Sequence, residues 1–110
     1  MSGITTHVLN VASGLPARGV PLRLEERAGE EWRLLCEAAT DDDGRARLLA
    51  DENAAAGEYR LSFDTGAYFT ASETEGFYPT VQIVFTVRDS RHHHVPLLLS
   101  PFGYSTYRGS

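Results

Sequence analysis

Apolar and polar residues alternate with a period of two along most of this chain. Val20, Leu22 and Leu24 alternate with Pro21, Arg23 and Glu25, and Trp32, Leu34 and Cys36 alternate with Arg33 and Leu35. Tyr59, Leu61 and Phe63 alternate with Arg60 and Ser62, and Val81, Ile83, Phe85 and Val87 with Gln82, Val84 and Thr86. Successive side chains of a strand point to opposite faces, so this pattern predicts half-buried strands. Ile4–Asn10, Arg45–Leu49 and His92–Ser100 add three more strands, and Gly103–Arg108 a short last one. Turn-forming stretches separate them: Ser13-Gly14-Leu15-Pro16, Ala28-Gly29, Asp41-Asp42-Asp43-Gly44, Asp64-Thr65-Gly66 and Arg88-Asp89-Ser90. Eight short, evenly spaced strands predict an all-β antiparallel sandwich. One helix of at most two turns is expected over Thr70–Gly76, started by a Thr or Ser cap and stopped at Gly76. At 110 residues the chain reads as a single domain over residues 1–110. A domain of that size buries roughly 65% of the surface its unfolded form exposes.

Charge narrows the function classes. The net charge of −5 disfavours sequence-independent binding to a phosphate backbone, so no nucleic acid partner is expected. No apolar run approaches the ~20 residues of a membrane helix, and no membrane partner is expected either. All ten basic residues are arginine, which removes Schiff-base lysine chemistry and the P-loop lysine. The one cysteine, Cys36, cannot form an internal disulfide or a four-cysteine zinc site. It reads as a buried, inert thiol on the apolar side of its strand with Trp32 and Leu34. Met1 to Asn10 lacks the basic and apolar regions of a signal peptide, and a reducing, cytoplasmic setting is expected.

The alternation leaves an unusual outer face. If Val95, Leu97 and Leu99 face the core, His94, Pro96 and Leu98 face away from it. If Ile4, Thr6 and Val8 face in, Thr5, His7 and Leu9 face out. Arg45, Arg47 and Leu49 face out opposite Ala46 and Leu48. Leu9, Leu49 and Leu98 among polar groups suggest a covered surface, most simply a subunit interface. Scattered surface leucines are the alternative.

Arg91-His92-His93-His94 is the first candidate for chemistry. In a strand only His92 and His94 share a face, and no thiolate or carboxylate at a telling spacing completes a metal set. Two histidines and an arginine on one face instead supply a base for water and a fixed cation for an oxyanion. A solvated polar face is the alternative. The acidic run Asp41-Asp42-Asp43-Gly44 lacks the spaced ligands of a calcium loop and reads as a turn. Ser72 and Ser105 have no nucleophile elbow around them.

Several motifs resemble one family. Thr6-His7-Val8-Leu9-Asn10, Gly14-Leu15-Pro16-Ala17, Asp43-Gly44-Arg45 and His94-Val95-Pro96-Leu97-Leu98-Leu99-Ser100-Pro101 occur in order. Tyr104-Ser105-Thr106-Tyr107-Arg108-Gly109-Ser110 comes after them. Together they resemble the 5-hydroxyisourate hydrolases, the transthyretin-related enzymes. The terminal Tyr-Arg-Gly-Ser distinguishes those enzymes from transthyretin itself. One position departs from the family pattern: Asn10 stands where the family usually has Asp. Its core-side parity predicts an effect on strand-end hydrogen bonding rather than on chemistry.

The resemblance implies a transthyretin-like sandwich of two four-stranded sheets with one short helix after the fifth strand. It also implies a homotetramer built as a dimer of dimers, with the site in a cleft between dimers. The expected reaction is cofactor-free and metal-free hydrolysis of 5-hydroxyisourate to 2-oxo-4-hydroxy-4-carboxy-5-ureidoimidazoline, in urate degradation. His7 and His94 would activate water and move protons, and Arg45 would bind the substrate and hold the oxyanion. Tyr107 would orient the ring and Ser110 would complete the cleft. The rival reading is a transthyretin-like carrier of a small hydrophobic ligand, which the fold alone permits. His7, Arg45 and His94 around one polar pocket argue against it.

Overall fold

The computed structural model describes residues 3–49 and 54–110. Among the described residues nine strands and one helix occur, in the order β1 (Ile4–Asn10), β2 (Leu15–Pro16), β3 (Pro21–Ala28), β4 (Glu31–Ala39), β5 (Arg45–Leu49) and β6 (Gly57–Phe63). The remainder are α1 (Thr65–Ala71), β7 (Val81–Val87), β8 (His93–Ser100) and β9 (Gly103–Thr106). They form two sheets. In the first, β1 pairs β5 along its first half and the two-residue β2 at its end, and β8 and β9 lie on its other side. That sheet therefore has five strands but is four strands wide. The second runs β4-β3-β6-β7. Every pairing is antiparallel except β1 with β8, which run parallel.

The alternating residues meet between the sheets. Ile4, Val8, Val95, Leu97 and Leu99 of the first sheet share one core with Leu22, Leu24, Leu61, Phe63 and Val81 of the second. Each such side chain contributes roughly 1.5–3 kcal/mol through burial. Two bulges correct the period-two reading. Leu24 pairs with Cys36 but Glu25 with Leu34, so Leu35 is an extra residue in β4. Past that point the parity inverts: Leu34 is 51% exposed and Leu35 packs on the core beside Cys36. Trp32 turns to the outer face, where the Arg60 guanidinium lies 4.6 Å from its ring centroid and bonds Glu25 at 2.8 Å. A second bulge between Ile4 and Thr5 makes Leu48 the extra residue of β5. It turns Leu49 back against the core instead of outward.

The helix also lies elsewhere than expected, over Thr65–Ala71 rather than Thr70–Gly76. Asp64 is its N-cap, accepting from the Ala67 amide at 3.0 Å. Ser72 closes its C-terminus, its hydroxyl donating to the Tyr68 and Phe69 carbonyls. Asp64 and the Thr70–Ser72 stretch both offer capping oxygens, and the aspartate starts the helix because Phe69 is thereby buried. Asn10 behaves as its parity predicts: it donates to the Tyr68 hydroxyl and its side-chain oxygen accepts from the Ala12 amide.

The turn before β5 is tightly built. Asp41 accepts from the amides of Asp43 and Arg45, both at 2.9 Å. Gly44 has φ of 76°, and a Cβ added there would collide with the Val8 carbonyl oxygen. Gly44→Ala is expected to destabilise the fold by about 1–3 kcal/mol from backbone strain, with the steric clash adding to it. A lowered urea midpoint at unchanged slope would register this. An unchanged midpoint would mean that the turn relaxes without loss.

Candidate active site

Strand register assembles the site on the outer face of the first sheet. Within the trio β5-β1-β8, Arg47, Thr5 and His94 stand in one row and Arg45, His7 and Pro96 in the next. Neighbouring strands lie roughly 4.8 Å apart, so each row brings its side chains within reach of one small molecule. A groove of about 450 Å³ opens over them. Thr5, Thr6, Asp41, Arg45, Ala46, Arg47, His92, His94 and Ser110 line it.

Of the residues singled out from sequence, Arg45, His94 and Ser110 therefore share the groove. His7 stands beside Arg45 in the ladder, half-buried, but does not itself line the groove. Tyr107 is 57% exposed and lines a different groove, between β7 and β8, on the other side of His94. Thr5, Asp41 and Arg47 join the site without having been singled out, and His92, weighed from sequence only as a possible metal ligand, joins them. Their outward parity was readable for Thr5, His92 and Arg47, but the register that sets Thr5 against His94 was not.

His94 is fixed from two sides. Its Nδ1 lies 2.8 Å from the Thr5 hydroxyl, which also lies 2.8 Å from His92 Nε2. Its carbonyl accepts from the Gly109 amide at 2.8 Å. A Cβ on Gly109 would stand 2.5 Å from His94 Cδ2, so the final segment can lie against the imidazole only as glycine. Burial, then the positive charges of His7, His92 and Arg45, hold the His94 imidazole below its ordinary value of 6.5. The Thr5 backbone favours the charged ring and only partly offsets this. His94 is therefore neutral at pH 7, with Nε2 as the ring nitrogen left for the groove. His93 points the opposite way, 4% exposed between the sheets, and burial lowers its pKa as well. Among the described residues no group of three or more His, Cys, Asp or Glu is arranged to hold a metal ion. A neutral imidazole beside guanidinium groups can accept a proton from water and stabilise an oxyanion.

A family profile described as HIUase/Transthyretin family matches residues 4–109. The chain belongs to the HIUase/Transthyretin family. The 5-hydroxyisourate hydrolase of Caulobacter vibrioides is 53% identical over 115 residues, covering 100% of both chains. The solved 5-hydroxyisourate hydrolase of Klebsiella pneumoniae superimposes with a TM-score of 0.89 at 35% identity, over 100% of both chains. Sea bream transthyretin in complex with thyroxine superimposes as closely, TM-score 0.90, at 31% identity over 96% of this chain and 93% of that one. Within the HIUase/Transthyretin family the fold thus accommodates both kinds of protein, so the fold alone does not separate them.

Proposed function

We propose that the chain is a 5-hydroxyisourate hydrolase of urate degradation. The single observation carrying this is the His94 imidazole lining a groove together with Arg45, Arg47 and Ser110. The relatives named 5-hydroxyisourate hydrolase support the substrate. Water attacks a ring carbonyl of the substrate as His94 Nε2 takes one of its protons. Arg45 stabilises the tetrahedral oxyanion. Collapse breaks the carbon–nitrogen bond of the cyclic amide, and the departing nitrogen takes the proton back from His94. The carboxylic acid so formed ionises to the ring-opened product. His7 polarises the substrate from the adjoining row and Ser110 closes the groove, whereas Tyr107, expected from the sequence to orient the ring, lines the neighbouring groove instead. No cofactor enters this sequence of steps.

The assembly we infer is a homotetramer, a dimer of dimers, formed by one domain over residues 1–110. Leu9 and Leu98 are paired and half-exposed on the same face as His7, which supports a covering subunit there. Among the described residues no helix is long and apolar enough to cross a membrane. A cytoplasmic location accords with the lone free thiol of Cys36.

Ultraviolet absorbance of freshly generated 5-hydroxyisourate, with and without the protein, tests the reading directly. Faster decay is expected, and decay at the background rate overturns it. The pH dependence comes from the sign of the His94 shift. The sequence alone suggests a fall in turnover through pH 6–7. A depressed His94 keeps its neutral, active form at lower pH, so the fall in kcat/KM should come at lower pH than an ordinary imidazole would give. A profile already halved at pH 7, after subtraction of background hydrolysis, would contradict that assignment.

A further inference from the structure

The Thr5 hydroxyl is shared between two imidazoles, at 2.8 Å from His92 Nε2 and 2.8 Å from His94 Nδ1. A hydroxyl has one proton to give, so it donates to one ring and accepts from the other. When it donates to His92, His94 must carry its proton on Nδ1, and His94 Nε2 is a bare acceptor. When it donates to His94, His94 carries its proton on Nε2 and is a donor toward the groove, while His92 holds the proton on its own Nε2. The two orientations of one hydroxyl thus correspond to the two states that a hydrolytic cycle requires of its acid–base group.

We infer that Thr5 and His92 form a proton relay behind His94, setting its tautomer and carrying charge away from it during turnover. The inference rests on the hydrolase reading of the site. In the first step His94 Nε2 takes a proton from the attacking water. As it does so, the Nδ1 proton passes to the Thr5 oxygen and the Thr5 proton passes to His92 Nε2. Three protons each move one bond, and the positive charge ends on His92. His94 is left neutral with a proton on Nε2. When the amide nitrogen departs and takes that proton, the same three transfers run in reverse. No proton is gained or lost by the protein over the cycle.

The surroundings explain why charge should move outward. A charged His94 would be half-buried and would face His7 on β1 and Arg45 on β5 as well as His92. His92 precedes β8 and is exposed, so water solvates the charge there. Thr5 is half-buried and directly opposite His94 in the parallel ladder, a position that the β1–β8 register fixes. Thr5 and His92 act through His94, which makes them positioning residues.

The test is a double-mutant cycle read as kcat and KM for 5-hydroxyisourate. Thr5→Val keeps the shape and removes the hydroxyl, and Thr5→Ser keeps the hydroxyl. His92→Gln keeps a hydrogen-bonding side chain that cannot carry the proton. Thr5→Val and His92→Gln should each lower kcat by roughly ten- to a hundredfold with KM changed less than about threefold. Thr5→Ser should restore kcat to within a few-fold. The double variant should be no worse than Thr5→Val alone, because both break the same chain. Losses that multiply, a His92→Gln kcat equal to the parent's, or losses confined to KM would overturn the relay. Should Thr5→Val fail to give a β-type circular dichroism spectrum, Thr5→Ser and His92→Gln decide by themselves, since His92 is exposed. Failure of the hydrolase reading shows separately and earlier, as no acceleration by the parent protein.

Discussion

Replacing His94 with alanine should leave the sandwich folded and lower kcat for 5-hydroxyisourate by ~10²–10⁴-fold, the range expected for loss of a general base. The fold should survive because the core-facing members of β8 are Val95, Leu97 and Leu99, while His94 is on the other face. KM should change little, since Arg45 and Arg47 still line the groove. Steady-state kinetics on a variant of normal circular dichroism checks both parts. A variant that keeps more than about a tenth of parental kcat would move the base to His7.

Ending the chain at Thr106 should be nearly as damaging, for a different reason. The segment from Tyr107 to Ser110 continues beyond β9 along the same edge of β8, in the same antiparallel register, and the Gly109 amide donates to the His94 carbonyl. It also supplies Ser110 to the groove. Misplacing a reacting group by about 1 Å can cost ~10²-fold, and removing the segment frees one side of the His94 ring. Stability should change much less, because Tyr107, Arg108 and Ser110 are exposed. Gly109→Ala makes the same point without deletion, since its Cβ would enter the space of His94 Cδ2. Full turnover in a folded, shortened chain would mean that His94 needs no support from this side. It would also remove Ser110 from the site.

The strands were legible because burial on one face imposes a period of two, and Ile4–Asn10 and Val81–Val87 end where that period ends. What parity cannot register is an inserted residue. Leu35 and Leu48 each add one, and each inverts the facing of the strand beyond it: Leu34 goes to solvent and Leu49 to the core. Nothing in the local composition marks either site, since leucine suits both faces. The position of the helix was hidden for a related reason. Asp64 and the Thr70–Ser72 stretch are both competent caps by residue type, and only tertiary burial of Phe69 chooses between them. The outward facing of Thr5, His7, Arg45 and His94 was derivable, but the alignment of β1 against β8 was not. Pairing between segments so far apart in sequence is set by the whole core. Local pattern consequently does not single out Thr5, although its hydroxyl touches two of the four histidines.

The parallel pairing of β1 with β8 has a bearing on how the enzyme comes into being. Thr5 and His94 are separated by 89 positions, and every residue between them must be synthesised before they can meet. A ribosome extends a chain by about 5–20 residues each second, so β1 waits several seconds for its neighbour. Over that interval it offers an unpaired edge, with its opposite edge to be taken by β5 well before β8 emerges. Catalytic competence is thus a property of the finished polypeptide, acquired in one late event. Loop closure on this scale is slow, and refolding in the test tube should regain secondary structure ahead of hydrolytic activity.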